Sequence, residues 1–277
     1  MPQVGEDSSV SSPPRLPANL IDPRSVVSPS ARLGPGVRVD AFAVVGDEVE
    51  LGEGCHLEPH ASIKGPATLG PRNHLHSFAA LGGDAQDLTF HGERATLEVG
   101  SDNQFREFCT ISRGTAKGGG VTRVGSHNLI MAYAHIAHDC VVGDHTVFVN
   151  GAQLAGHIHV DDYATISAYC ALHQFVRIGR YSYIAANTVI TQDVPPFSKI
   201  AAPRETRCVG VNGIGLQRQG FDAQRMENIE QAYRLLLRSK LNTSQAVEKM
   251  KETLGASPDV LELIAFIEST SDRGLTK

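Results

Sequence analysis

A chain of 277 residues with a formal net charge of −5 carries no broad basic surface, which argues against nucleic acid as a partner. Its 41% apolar and 20% charged residues exclude a wholly disordered chain, and no apolar run is long enough to span a membrane. Glycine is plentiful at 27 residues while aromatics make up only 6%, with no tryptophan, which points to a core too narrow for large rings and a backbone that turns often.

Residues 1–20, "MPQVGEDSSVSSPPRLPANL", are rich in Ser and Pro and contain no apolar run. They read as a disordered tail and match neither a signal peptide nor a transit peptide, so a cytoplasmic protein is expected. From Ile21 an aliphatic residue recurs every sixth position through Val27, Leu33, Val39, Val45, Leu51, Leu57, Ile63, Leu69 and Leu75 to Leu81. Val99, Phe105 and Ile111 make a short second series, and a third runs from Val124 to Ile190. Two places before these positions stands a small residue such as Ala43, Ala61, Ala79, Ala134 or Ala152, and Gly often follows, as at Gly34, Gly52 and Gly143. A period of six fits neither a helix nor simple alternation, but it fits short strands joined by tight corners. The expected fold over 21–197 is therefore a mainly β, left-handed parallel β-helix of hexapeptide repeats, with three hexapeptides, or 18 residues, per coil.

The period fails twice, at 82–97 and 112–123, where loops must leave the coil, and loops on a rigid scaffold are where binding residues concentrate. Of the five cysteines, Cys55, Cys109, Cys140 and Cys170 fall in the small inward slot. With Cys208 they are read as reduced thiols, because no CxxC pair exists. Beyond "DVPPF" (193–197) the period is lost, and 198–277 reads as a small C-terminal α-helical domain. Helices are expected at 222–239 behind Asp222, in "NTSQAVEKMKETL", and in "SPDVLELIAFIEST" with Pro258 in the first turn.

Chemistry concentrates at "AHIAHDC", residues 134–140. One coil beyond His138 lies Gly156 beside His157, and one further lies Gln174 beside His173, so the fold stacks these side chains into a ladder with rungs about 4.8 Å apart. His56, His60, His74, His76, His91, His127 and His145 are read as solvated or hydrogen-bonded surface groups. Arg177, Arg180, Lys199, Arg204 and Arg207 read either as a solvated face or as a docking surface for an acidic protein.

"AHIAHDC", "LAGHIHVDD", "LHQFVRIG", "DVPPF" and "GVNGIGLQRQGF", in this order and spacing, resemble the UDP-N-acetylglucosamine O-acyltransferases that begin lipid A synthesis. The resemblance covers about residues 20–275 and implies a homotrimer with active sites between neighbouring prisms. It implies transfer of a 3-hydroxyacyl group from acyl carrier protein to the 3-hydroxyl of a UDP-sugar. His138 matches the family's general base and the Gly156 N–H its oxyanion donor, a glycine there letting substrate approach the backbone. Asp139 is the candidate for orienting that base, although strict alternation turns it away from His138. His135, His157, His173 and Gln174 match residues that hold the nucleotide sugar or acyl chain, Gln86 and Asp87 match sugar contacts, and Asn212 and Arg218 match groups around the diphosphate. Ala186 matches the residue that limits the acyl groove, with Tyr183 and Arg204 as further length-setting candidates. An acyl chain somewhat shorter than that of glycine-bearing relatives is expected.

The chain departs from the pattern at Thr89, Ile214 and Gln219, where a lysine, an acid and a second arginine are usual, and at Ser167 and Ala168, where glycines are common. Fewer cations then surround the diphosphate. Two other readings compete. In a prism-shaped zinc carbonic anhydrase, His138 and His173 would be ligands, but the third would be Ile178, an apolar position; no metal or cofactor is therefore expected. The other is a β-helical scaffold without catalysis. The sister N-acyltransferase of the same pathway normally carries an N-terminal domain that residues 1–20 are too short to form.

Overall fold

The computed structural model describes residues 18–202, 205–269 and 271–277. Strands of two to four residues recur through the repeat and assemble into three sheets of 11, 9 and 8 strands, the three faces of a prism. Each coil visits the first, second and third face in turn, as with Leu20–Ile21, Val26–Val27 and Arg32–Leu33. Pairing is parallel in steps of 18 residues: Arg38 lies opposite His56, Val44 opposite Ser62 and Arg32 opposite Glu50. This is the parallel β-helix that the six-residue period predicts.

The period works because one large residue per face fills the axis. Val39, Leu57, Leu75, Ile130, Ile136 and Ile166 are fully buried, and Ala43, Ala61, Ala79, Ala134 and Ala152 fill the small slots between them. Cys55, Cys109, Cys140 and Cys170 occupy the same slots, and burial pushes the Cys109 and Cys140 thiols up to about 12, far from any nucleophilic state. The core is wider than the aromatic scarcity suggests, since Phe105, Phe148 and Phe197 are wholly buried. Most aromatics sit at corners, with φ between 56° and 66°. This left-handed conformation is costly for a non-glycine residue. Stacking down each edge offsets it: Phe42, His60, Phe78, Phe108 and Tyr133 form one column with ring centroids 4.9–5.2 Å apart.

The boundaries differ from the sequence expectation at three places. Residues 1–17 lie outside the described region, but Leu20 already pairs with Arg38, so the prism starts within the segment read as tail. Strand pairing at Ala80–Gly83, Thr96–Val99, Thr110–Ser112 and Val121–Val124 trims the two loops to 84–95 and 113–120. After "DVPPF" the first face continues through Ser198–Ala201, with Lys199 opposite Tyr183, and Arg207–Val211 adds antiparallel to it. The step from Tyr183 to Lys199 is 16 residues instead of 18, so the periodicity stops while the sheet goes on.

Four helices follow, α1 (Gly213–Arg218), α2 (Ala223–Arg238), α3 (Thr243–Leu254) and α4 (Pro258–Glu268). Short α1 was invisible because two of its first three residues are glycines. Asp222 caps α2, and Asn242 with Gln245 forms a reciprocal capping box on α3, whereas Ser257 makes no side-chain cap on α4. The helices are tied to the prism at two buried points. Tyr233 Oη donates to Pro196 O at 2.6 Å. Arg177 Nε donates to Asp193 Oδ2 at 2.9 Å while its guanidinium covers the Phe266 ring, so Arg177 is a structural clamp and belongs to neither a solvated nor a docking face. Among the described residues no helix is long and apolar enough to cross a membrane.

Candidate active site

Both loops leave the prism at the same edge, where the second face turns into the third. The register step lengthens there to 30 residues (Thr110 beside Ala80) and then to 25 (His135 beside Thr110). The next coil turns the same edge at Ala137–Cys140, the following ones at 155–158 and 173–176. The loops therefore wall off one end of the predicted ladder. They brace each other, with the Ala116 N–H donating to Glu93 and Arg113 gripping the Asp84 carboxylate and the Gly65 carbonyl.

At this edge His138 and Asp139 are buried neighbours whose side chains meet, His138 Nδ1 lying 2.8 Å from Asp139 Oδ2. Alternation sends Asp139 the other way, but it occupies the corner with φ 60°, and a left-handed corner cancels the alternation. Since a carboxylate only accepts, His138 Nδ1 carries the proton, and in the neutral ring Nε2 keeps its lone pair. Asp139 is itself held by the second loop, through Thr115 N to Oδ1 at 2.7 Å and Thr115 Oγ1 to Oδ2 at 2.6 Å. Its backbone N–H donates to Thr122 Oγ1 at 2.8 Å. A Cβ at Gly118 would collide with the Asp139 carboxylate, which explains a glycine there. Thr115, Thr122 and Gly118 escaped sequence reading because all three fall in the stretch 112–123 where the period is lost; the triple glycine 118–120 was the only signal.

Gly156 lies one rung on, and a Cβ there would strike the His138 ring. The glycine thus admits the imidazole, where the sequence reading gave it only to substrate. No backbone carbonyl among the described residues accepts the Gly156 N–H, while its neighbour His157 donates to His138 O at 3.0 Å. His157 meets His138 edge-on at 5.1 Å and stacks on Phe175 at 4.5 Å. Burial lowers its pKa against the opposing pull of Asp139. His135 lies on the second face with Nδ1 2.7 Å from Thr110 Oγ1, and burial lowers its pKa as well. Both imidazoles are therefore held toward the neutral form. His173 and Gln174 continue the edge, exposed.

In the first loop Gln86 is exposed and Asp87 half-buried. Thr89, the departure from the expected lysine, donates through N and Oγ1 to Asp87 Oδ1 at 2.8 and 2.9 Å and so fixes the carboxylate in a turn. Those bonds are the main cause of a lowered Asp87 pKa, to which His138 and Lys117 add their charges. The ligating atoms of His138, Asp139 and His157 all lie within 4.8 Å of one another, close enough to surround a cation. The zinc set considered from sequence differs from this, and its third position, Ile178, is fully buried in the core.

The remaining candidates stand elsewhere on the chain. Asn212 and Arg218 line a cleft of about 650 Å³ on the first face together with Tyr183, Lys199, Tyr181 and Gln219. That face is opposite the His138 edge. Asn212 caps α1 through Gly215 N and donates to Tyr181 O at 3.0 Å. Ala186 is exposed at the corner between the first and second faces. Arg204 lies outside the described residues. One chain thus assembles the candidate base and its support but separates them from the diphosphate candidates.

Comparison with known proteins bears on this arrangement. Residues 193–276 match the family model "Udp N-acetylglucosamine O-acyltransferase; Domain 2", and 122–156 match the bacterial transferase hexapeptide model. An acyl-[acyl-carrier-protein]–UDP-N-acetylglucosamine O-acyltransferase of Xylella fastidiosa is 49% identical over 260 residues, covering 94% of this chain and 98% of the relative. The enzyme of the same name from Alkalilimnicola ehrlichii is 49% identical over 257 residues, covering 93% and 99%. The solved UDP-N-acetylglucosamine acyltransferase of Francisella novicida superposes with a TM-score of 0.90 at 36% identity, covering 93% of this chain and 94% of that one. The shared fold is a left-handed β-helix with a small helical C-terminal region. Identity at this level over nearly the whole of both chains makes the protein a member of the UDP-N-acetylglucosamine O-acyltransferase family.

Proposed function

We propose that the chain transfers a 3-hydroxyacyl group from acyl carrier protein to the 3-hydroxyl of UDP-N-acetylglucosamine or a close UDP-sugar, the opening step of lipid A synthesis in the cytoplasm. The observation that carries this reading is the His138–Asp139 pair, 2.8 Å apart and backed by Thr115, with the imidazole seated against Gly156. His138 Nε2 takes the proton of the sugar hydroxyl as its oxygen attacks the thioester carbonyl, and Asp139 stabilises the imidazolium that forms. The tetrahedral oxyanion accepts from the Gly156 N–H. When the C–S bond breaks, the imidazolium returns its proton to the departing thiolate and the base is restored.

The partner surface comes from a second chain in this reading. Arg218 and Asn212 lie on the face opposite His138, and a homotrimer would set that cleft of one chain against the His138 edge of the next. Arg218 then serves the diphosphate without a second arginine, since Gln219 is uncharged and Ile214 is 68% exposed and apolar.

Purified protein given a panel of acyl carrier proteins and UDP-sugars should yield the 3-O-acylated nucleotide by mass spectrometry. His138→Ala should lower turnover about a hundredfold or more with unchanged circular dichroism. Wild-type turnover in that variant would remove His138 as the base. Ala186→Gly should move the preferred acyl chain toward greater length; each methylene gained is worth about 0.8 kcal/mol, roughly fourfold in preference. An unchanged preference would mean that Ala186 does not end the groove.

A further inference from the structure

One cluster of titratable side chains has no place in the reaction. On the first face the register stacks His74 on His56, and Asp40, Glu58 and His76 lie two residues further along successive rungs. Glu58 Oε1 receives two imidazole nitrogens, His74 Nε2 at 2.9 Å and His76 Nδ1 at 3.1 Å. Its other oxygen accepts from Ser77 N at 3.1 Å and Ser77 Oγ at 3.3 Å, which fixes the carboxylate with Oε1 aimed at the two rings. His76 Nε2 meets Gln104 Oε1 at 3.1 Å.

That last contact sets up a conflict. An amide oxygen only accepts, so in this amide orientation His76 carries its proton on Nε2. In neutral His76 the Nδ1 lone pair then faces a carboxylate oxygen at 3.1 Å, which is repulsive unless a proton or a metal cation stands between them. Protonating both rings is opposed by their stacking at 4.0 Å.

We propose that Glu58, His74 and His76 bind one zinc-type divalent transition-metal ion per chain, with solvent completing the coordination. Two imidazole nitrogens and a carboxylate oxygen suit zinc, and all three ligating atoms lie within 4.8 Å of one another. Tetrahedral zinc with bonds of about 2.0–2.2 Å keeps its donors roughly 3.3–3.6 Å apart, so the observed 2.9 and 3.1 Å contacts must open by about 0.2–0.7 Å. Ser77 and Gln104 supply the outer hydrogen bonds that orient ligands in such sites. His74 and Glu58 keep 27% of their side-chain surface exposed, so an ion has a way in. Glu58 and the two histidines belong to successive coils, so the ion cross-links the N-terminal half of the prism. It lies on the first face four strands along the sheet from Thr165 in the Asn212–Arg218 cleft, and none of its ligands is among the residues placed in the reaction.

The test is calorimetric titration of ZnCl₂ into metal-free full-length protein, with thermal melting and turnover measured alongside. Wild type should bind one ion per chain and melt higher with zinc; His74→Gln and His76→Gln should each weaken binding about tenfold or more and remove the zinc-dependent rise, with turnover unchanged. Absence of binding overturns the proposal. So does binding that survives both substitutions but disappears in His157→Gln, because the ion would then sit beside Asp139. Should either variant fail to fold, anomalous scattering from zinc-soaked wild-type crystals decides: a peak between Glu58, His74 and His76 supports the site, and a peak elsewhere or none contradicts it.

Discussion

Thr115 shows how much of the candidate base rests on residues that never meet substrate. Its hydroxyl and N–H hold Asp139, Asp139 holds Nδ1 of His138, and Gly118 leaves the space in which the carboxylate sits. Losing the hydroxyl leaves a buried carboxylate one donor short and frees the imidazole to rotate. Thr115→Val should therefore cut kcat about tenfold or more with little change in KM, since a hydrogen bond to a charged group is worth about 1.5–3 kcal/mol. Thr115→Ser should restore most of the loss. A variant that melts lower yet keeps full kcat would reduce Thr115 to a structural role. His135 and His157, held toward neutrality by burial, remain able to accept hydrogen bonds from sugar hydroxyls without adding positive charge beside His138.

Among the elements, the corner between the third and first faces carries a ladder of buried amides. Asn103 donates through N and Nδ2 to Asn73 Oδ1 at 3.1 and 2.9 Å and through Nδ2 to Gly125 O at 2.9 Å, and its own Oδ1 accepts from Asn128 N at 2.8 Å. Asn128 passes the pattern on to Thr146. Asn103→Ala strands the buried Asn128 N–H and the half-buried Gly125 carbonyl, a loss of about 2–3 kcal/mol that thermal melting should register as a clear drop. An unchanged melting temperature would mean that water replaces the lost partners. The strands themselves were legible because one inward aliphatic per face is a strict requirement of a narrow prism, as Leu57, Leu75 and Ile130 show. The corners were not, because a residue at positive φ breaks the alternation on which the reading relied. Asp139 was accordingly expected to turn away from His138, and it turns toward it. The loops were legible as interruptions, but their contacts depend on which edge they leave, which only the folded register fixes.

At the scale of the whole molecule, one chain keeps its two groups of candidate residues apart. The His138 edge carries the proposed base, the imidazoles and the two loops, while Asn212 and Arg218 occupy the first face on the other side of the prism. A third edge exposes Phe42, Phe78, Phe108, Tyr133 and Tyr169 at 43–68%, more apolar surface than an isolated prism has reason to show to water. Both features fit a homotrimer in which each site takes its base from one chain and its diphosphate group from the next. Subunit mixing tests this most directly. His138→Ala and Arg218→Ala should each be nearly inactive alone. Unfolded together and refolded at equal concentration, they should recover roughly a quarter of wild-type activity, because one site in four then pairs an intact His138 with an intact Arg218 from its neighbour. Activity that stays at the level of the separate variants would contradict a site shared between chains.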